Sequence, residues 1–204
     1  LPGYTRTMGP QTHLFEERER LQQLTWNHFS VRQLSPTIGA ELEGLDLSQE
    51  LAQKVIDEIQ QALWDYKVIF FRNQKITSEQ QIQFASRFGE LEIHPFLPPN
   101  SQTPELVRFE KNAKAAGYEN QWHHDVTWRE EPSQGAILRA VEIPPVGGDT
   151  FFVDANAAYE GLPQEIKQKI DSLRAVHDFL RAFGRQVPKG KRDEIREKYP
   201  LVEH

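Results

Sequence analysis

The sequence predicts a single α+β domain with a mainly β core and helices packed around it. Short runs of β-branched and alternating residues, bounded by glycine and proline, indicate strands. Other stretches repeat apolar residues at spacings of three and four, which indicates amphipathic helices. The 204 residues, 38% of them hydrophobic, are enough for one well-buried core and too few for two full-sized domains. Residues 1–27 are polar and are predicted to form an arm, so the domain is expected to span residues 28–204.

The first half of this domain is predicted to alternate strands and helices. Residues 29–47 suggest two short strands, because β-branched residues are interrupted by Pro36 and by glycines. Residues 49–64 have the spacing of an amphipathic helix, and the continuous apolar run at 68–71 is typical of a buried strand. A second helix should follow, with Ser78 and Gln81 placed as a capping box at its start.

The second half is predicted to continue with strands and then helices. Residues 106–109 form a strand-like run, followed by a polar loop at 111–120. The runs at 135–141 and 149–153 are joined by a proline- and glycine-rich turn, so we expect them to pair as a hairpin. The remaining predicted elements are helices at 155–162 and 164–172 and a charged segment at 189–198.

Composition excludes several classes of function. The formal net charge of -6 provides no broad positive field for a phosphate backbone, so nucleic acid is not an expected partner. No run approaches the ~18 apolar residues of a membrane span, and the first residues lack the apolar core of a signal peptide, so a cytoplasmic protein with no membrane partner is expected. Cysteine is absent, which leaves histidine and carboxylates as metal ligands.

The segment from Trp122 to Asp125 contains the chemistry of a metal site. In an extended chain, His123 and Asp125 project to the same face, whereas His124 points away. One imidazole and one carboxylate supply two ligands of the two-His, one-carboxylate facial triad, which suits non-heme Fe(II) and leaves positions open for cosubstrate and O2. A His-X-Asp sequence alone is a weak signal, because it occurs by chance in many proteins.

The surroundings of this segment make the signal more specific. Nine short motifs appear in the same order as in the taurine dioxygenase family, which the chain therefore resembles over most of its length. These motifs are residues 38–40, 45–47, 68–74, 88–91, 93–95, 122–128, 147–150, 157–160 and 177–179.

The resemblance implies a double-stranded β-helix, or jelly roll, with flanking helices and with the C-terminal part of the roll missing from this chain. It implies an Fe(II)- and 2-oxoglutarate-dependent dioxygenase that uses O2, converts 2-oxoglutarate to succinate and hydroxylates a small, anionic organic substrate such as a sulfonate or sulfate ester. The implied residues are His123 and Asp125 for iron, Thr150 for 2-oxoglutarate, and His94, Val126 and Phe183 for substrate.

The sequence also departs from the sulfonate-oxidising members of that family. Leu97 stands where they have an aromatic residue and Glu119 where they have an amide, which leaves the identity of the substrate open. The third iron ligand and the arginine that pairs with 2-oxoglutarate are expected in a segment that would follow residue 204. His177 and His204 do not match the position of that third ligand.

Two other classes remain open at this point. One is a degenerate, non-catalytic jelly-roll protein that binds a ligand without a complete triad. The other is a zinc or other metal hydrolase built on His123 and Asp125, although such sites usually have more ligands nearby than this segment offers. A homo-oligomer is possible for any of them.

Overall fold

The computed structural model describes residues 12–93, 102–110, 122–184 and 187–204. Within these ranges the chain has the α+β character predicted from sequence, with helices around two small sheets. It divides into two compact units, the first formed by Leu1–Phe109 and Pro144–Leu162 and the second by Glu110–Ile143 and Pro163–His204. None of the helices in the described part of the chain has the length and apolar character needed to cross a lipid bilayer.

A three-stranded sheet opens the first unit. Strand β1 (Ser30–Gln33) pairs antiparallel with β2 (Ala40–Glu43), and β2 pairs parallel with β3 (Ile69–Phe70). The turn between β1 and β2 depends on Gly39, whose φ of 86° lies in the left-handed region that favours glycine. The strands predicted in 29–47 and 68–71 are therefore confirmed.

Helix α2 (Gln53–Tyr66) packs its apolar face against this sheet region. Ile59 and Ala62 are almost completely buried, as expected for the stripe predicted from the three- and four-residue spacing. The helix begins four residues later than predicted and ends at Lys67, whose φ of 67° is left-handed and breaks the helical path.

Helix α3 (Ser78–Ala85) follows, and its start differs by one residue from the prediction. Thr77, rather than Ser78, is the N-cap residue, and it exchanges hydrogen bonds with Gln80 in a capping box. Gln81, the predicted partner, is instead buried. A capping box needs an N-cap side chain that reaches the amide three residues later, and both Thr77 with Gln80 and Ser78 with Gln81 have this spacing. The structure forms the first of these two pairs.

Helix α1 (Phe15–Gln22) lies in the stretch predicted as an arm, after a single 3-10 turn at Thr12–Leu14. Leu21 is only 2% exposed and belongs to the core of the first unit. Arg20 binds Asp65 of α2 across 2.7 Å. One buried leucine and a few charge pairs attach this helix to the first unit. The weak apolar periodicity of its sequence did not indicate this attachment. Residues 1–11 lie outside the described residues.

The strands predicted at 106–109, 135–141 and 149–153 are not formed, so the hairpin expected from the last two is corrected. Their large apolar residues are exposed, including Phe109, Leu138 and Phe151. A strand forms only where it pairs with another strand, and these runs belong to neither of the two sheets of the described residues. The described residues thus form two small sheets where the sequence suggested a mainly β roll.

The second unit is built around a two-stranded ribbon and an aromatic cluster. Strand β4 (Val176–His177) pairs antiparallel with β5 (Val202–Glu203). Trp128, Phe179 and Tyr199 meet edge to face or tilted with centroids about 5 Å apart, a favourable arrangement of rings. The remaining helices are α4 (Ala155–Glu160) in the first unit and, in the second, α5 (Gln164–Ile170), α6 (Phe179–Phe183) and α7 (Arg192–Lys198).

Candidate metal centre

His123 and Asp125 are neighbours in the second unit. His123 Nε2 lies 3.3 Å from Asp125 Oδ1, and the two side chains are 64% and 62% exposed. Two donors that each lie about 2.1 Å from one metal ion, at right angles, are about 3 Å apart. The imidazole and carboxylate therefore fit two adjacent positions of a metal ion, and they are the ligand types that non-heme Fe(II) takes.

The backbone at the site is not a regular strand: residues 122–124 belong to no helix or strand, and a turn begins at Asp125. Residues 125–128 form the turn, which Arg129 N closes by donating to Val126 O over 3.1 Å. Val126 has a φ of 59°, a left-handed conformation that costs a β-branched residue about 1–3 kcal/mol. A strand therefore could not continue through Val126, and the extended geometry expected for His123 to Asp125 stays a prediction.

His124 does not join the pair. Its Nδ1 lies 2.9 Å from the backbone oxygen of Asp125, which ties the ring to its own main chain. The sequence predicted that His124 points away from the site. In the structure, a local hydrogen bond to the main chain holds its ring.

The last residue of the turn, Trp128, anchors the site in the second unit. Trp128 is 7% exposed and packs on Phe179, which is almost fully buried. Phe183 also packs in this cluster and stacks on Phe179, with the two ring centroids 4.9 Å apart. Val126 is half-buried beside Asp125. Phe183 therefore has a packing role in the described structure, and a substrate role for it and Val126 stays a prediction.

Thr150 and His94 are the other residues that the sequence assigned to binding. Thr150 is exposed and belongs to the first unit, after the turn formed by Gly147 and Gly148 at φ 80° and 74°. His94 lies outside the described residues, as do Leu97 and Glu119. His123, Asp125 and Val126 lie together in one segment of the second unit.

One charged pair supports the aromatic cluster and was not found from sequence. Arg196 donates to both carboxylate oxygens of Asp178, over 2.8 and 3.0 Å, and the same carboxylate caps α6 at Leu180 N. These bonds from the Arg196 guanidinium lower the pKa of Asp178. The only sequence signal was the position of Asp178 in the His-Asp-Phe motif.

The described residues contain no group of three histidine, aspartate or glutamate side chains that could hold a metal ion. Within them, His123 and Asp125 bring together two side chains of the ligand type. A cavity of about 350 Å³ in the first unit is lined by Lys67, Asp154, Glu17 and neighbours. Lys67 contacts Glu17 and Asp154 there, so its charge is already matched within the protein.

Comparison with known proteins identifies the family. The family model of the taurine catabolism dioxygenases, TauD and TfdA, matches residues 30–204. The chain belongs to this family, as its motifs indicated.

Individual relatives agree with this assignment. The chain is 38% identical over 148 residues to an alkylsulfatase of Acinetobacter baylyi, and this match covers 72% of the chain and 46% of the relative. It is 40% identical over 149 residues to an alpha-ketoglutarate-dependent sulfate ester dioxygenase of Pseudomonas putida, covering 72% and 48%. The crystal structure of a taurine dioxygenase from Burkholderia xenovorans superposes with a TM-score of 0.64 at 37% identity, covering 75% of this chain and 54% of the other. The chain thus spans about half the length of the curated relatives it matches.

Proposed function

We propose that the protein is an Fe(II)- and 2-oxoglutarate-dependent dioxygenase that hydroxylates a small anionic organic molecule. The observation that carries the proposal is the 3.3 Å approach of His123 Nε2 to Asp125 Oδ1 in a family of dioxygenases. The proposal includes the jelly-roll fold of the complete enzyme. A cytoplasmic location and self-association stay predictions from the sequence.

Each residue has a defined task in this proposal. His123 and Asp125 would hold the iron, and the bound iron supplies O2 activation coupled to decarboxylation of 2-oxoglutarate to succinate. The hydroxyl of Thr150 would donate a hydrogen bond to a carboxylate of 2-oxoglutarate, because a hydroxyl is a donor and an ionised carboxylate is a strong acceptor. Val126 and Phe183 would form apolar walls for the substrate.

The proposed substrate class is a sulfate ester, a sulfonate or a related anion. Support comes from the names of the alkylsulfatase and the sulfate ester dioxygenase, each close to 40% identical over the matched region. A histidine near neutral pH can pair with such an anion, which is the role proposed for His94. Hydroxylation of the carbon that bears the sulfate oxygen gives a hemiacetal-type product, which releases sulfate and an aldehyde.

A non-catalytic binding protein is the second candidate. It is favoured by one observation, namely that the described residues bring only two potential ligands together in the candidate centre. Such a protein would bind a metal or an anion without forming succinate.

The decisive experiment replaces Asp125 and measures succinate. In the full-length enzyme, we expect Asp125→Ala to lower substrate-dependent succinate formation from an alkyl sulfate by at least about 100-fold, because a facial site without its carboxylate holds Fe(II) poorly. His124→Ala is the matched control in the same segment, and we expect it to stay within about threefold of the unchanged protein, because one local hydrogen bond is a small contribution.

Two results would contradict the proposal. Unchanged turnover in Asp125→Ala would remove Asp125 from the metal site. Metal binding by the unchanged protein without succinate formation from any anionic substrate would favour the binding protein instead.

A further inference from the structure

We infer that Thr127, His177 and His204 are positioning residues that hold the turn bearing Asp125 in its metal-binding geometry. The inference rests on the proposed function, since it concerns how the metal ligand is held. None of the three residues is a metal ligand in it. They act through the backbone of residues 125–129.

The first contact joins the turn to the ribbon of the second unit. His177 Nδ1 lies 2.8 Å from Thr127 Oγ1, fifty residues away in sequence. His177 belongs to β4, whose pairing with β5 fixes its backbone. The threonine side chain two residues after Asp125 is therefore tied to a regular element.

The second contact joins the same turn through its main chain. His204 Nε2 lies 3.0 Å from Thr127 O and 3.1 Å from Arg129 O. Both partners are carbonyl oxygens, which only accept, so this nitrogen must bear the proton and donate to both. The backbone of His204 is fixed in turn, because it exchanges two hydrogen bonds with Ala175 next to the ribbon.

The two imidazoles also contact each other. Their ring centroids are 5.1 Å apart and their planes meet at 75°, an edge-to-face arrangement. Together they hold Thr127 by its hydroxyl and by its carbonyl, from β4 and from the residue that follows β5. We call this arrangement of Thr127, His177 and His204 the histidine clamp.

The turn that bears Asp125 is not stabilised by its local sequence alone, so contacts such as the histidine clamp are needed to hold it. Val126 adopts a left-handed backbone that β-branched residues disfavour, so the turn is not stable through its own local preferences. Asp125 itself is largely exposed, and packing therefore does not fix its carboxylate. Trp128 anchors one end of the turn in the aromatic cluster, and the histidine clamp holds the residue between Trp128 and Val126.

The experiment removes single hydrogen-bonding groups and measures the affinity for Mn(II) by electron paramagnetic resonance of the free ion. Thr127→Val deletes the hydroxyl while keeping the shape, whereas Thr127→Ser keeps it and serves as the matched control. We expect Thr127→Val to bind Mn(II) about threefold to tenfold more weakly, and Thr127→Ser to bind within about twofold of the unchanged chain. His177→Phe should weaken binding by the same factor.

A double substitution tests whether the two residues act through one bond. Thr127→Val combined with His177→Phe should weaken Mn(II) binding no more than either change alone, because both remove the same interaction. Amide hydrogen exchange at residues 125–129 is the second readout, and it should accelerate in Thr127→Val and remain unchanged in Thr127→Ser. Exchange is measured on the apo chain, so it reports on the clamp independently of metal.

The outcomes separate this inference from the proposed function. Mn(II) affinity and exchange that are unchanged in Thr127→Val and His177→Phe would overturn the clamp, as would equal losses in Thr127→Val and Thr127→Ser. Asp125→Asn is the companion variant for the proposed function. Affinity that is unchanged in Asp125→Asn would show that Asp125 is not a ligand, which contradicts the proposed function whatever the clamp does.

Discussion

Glu17 shows how strongly neighbouring cations set the charge of a single residue in this chain. Arg20 donates to both of its carboxylate oxygens, over 2.8 and 3.0 Å, and Lys67 Nζ lies 3.2 Å from one of them. The hydrogen bonds from Arg20, together with the charge of Lys67, lower the pKa of Glu17 from 4.5 to about 2. The carboxylate thereby joins α1 to the end of α2.

This shift gives the first unit a defined sensitivity to acid. A carboxyl whose pKa is lower in the folded state stabilises the fold fully above its unfolded pKa, and this contribution disappears as the pH falls from about 4.5 to about 2. Glu17→Gln should cost about 1 kcal/mol at neutral pH, once solvent screening is allowed for, and nothing near pH 2. Thermal unfolding across this pH range measures it.

Glu19→Gln is the matched control for this change, because it alters the same charge in the same helix at an exposed position. Parallel pH dependence in the two variants would mean that the ion pairs of Glu17 contribute no differential stability.

The candidate site could be predicted from sequence only where local chemistry determines it. The approach of His123 to Asp125 follows from two ligand-type residues separated by one position. The left-handed conformation of Val126 and the contact between Thr127 and His177 do not, because the first depends on a turn with no glycine signal and the second joins residues fifty positions apart. The stacking of Phe183 on Phe179 equally depends on the fold around it.

At the scale of elements, sequence periodicity identified α2 and the first sheet but not the helix starts. The start of α3 offers a direct test. Thr77→Ala should lower the free energy of unfolding by about 1 kcal/mol, because it removes one half of a reciprocal capping box and leaves the Gln80 amide without its acceptor. Chemical denaturation measures the difference.

Ser78→Ala provides the comparison, since Ser78 was the residue that the sequence placed at the cap. It occupies the first position inside the helix, where alanine is at least as favourable, so the expected change is within about 0.5 kcal/mol. A larger loss in Ser78→Ala than in Thr77→Ala would show that the cap lies where the sequence placed it.

The elements that sequence missed are short and depend on distant partners. Strands β4 and β5 contain two residues each, and α6 contains five. No periodicity is detectable over such lengths, and each element exists because another segment packs beside it. The converse error concerns residues 135–141 and 149–153, whose strand-like composition is not matched by a strand neighbour in the described structure.

For the whole molecule, the exposed apolar side chains in residues 137–153 have a predictable effect on solution behaviour. Val141 is 84% exposed and Val146 is 88% exposed, among several other large apolar residues. Exposed large apolar side chains promote association. We expect the chain to self-associate with rising concentration, and the double variant Val141→Lys, Val146→Lys to reduce this, as sedimentation velocity would measure.

Gln134→Lys is the control for an effect of charge alone, because it adds a positive charge at an exposed polar position. Association that falls equally in this control would assign the effect to net charge. Association that persists in the double lysine variant would place the contact surface elsewhere on the chain.

The division into two units has a consequence for how the protein is made. Among the described residues, the hydrophobic core of the first unit lies between Leu21 and Phe88, which leave the ribosome early. Its last segment, with Asp154 and α4, is translated only after residues 110–143 of the second unit. Until Asp154 is translated, Lys67 lacks one of its acidic neighbours. The nascent chain must therefore hold a formed core while an unrelated stretch is translated, and the first unit is completed only when the polypeptide returns to it.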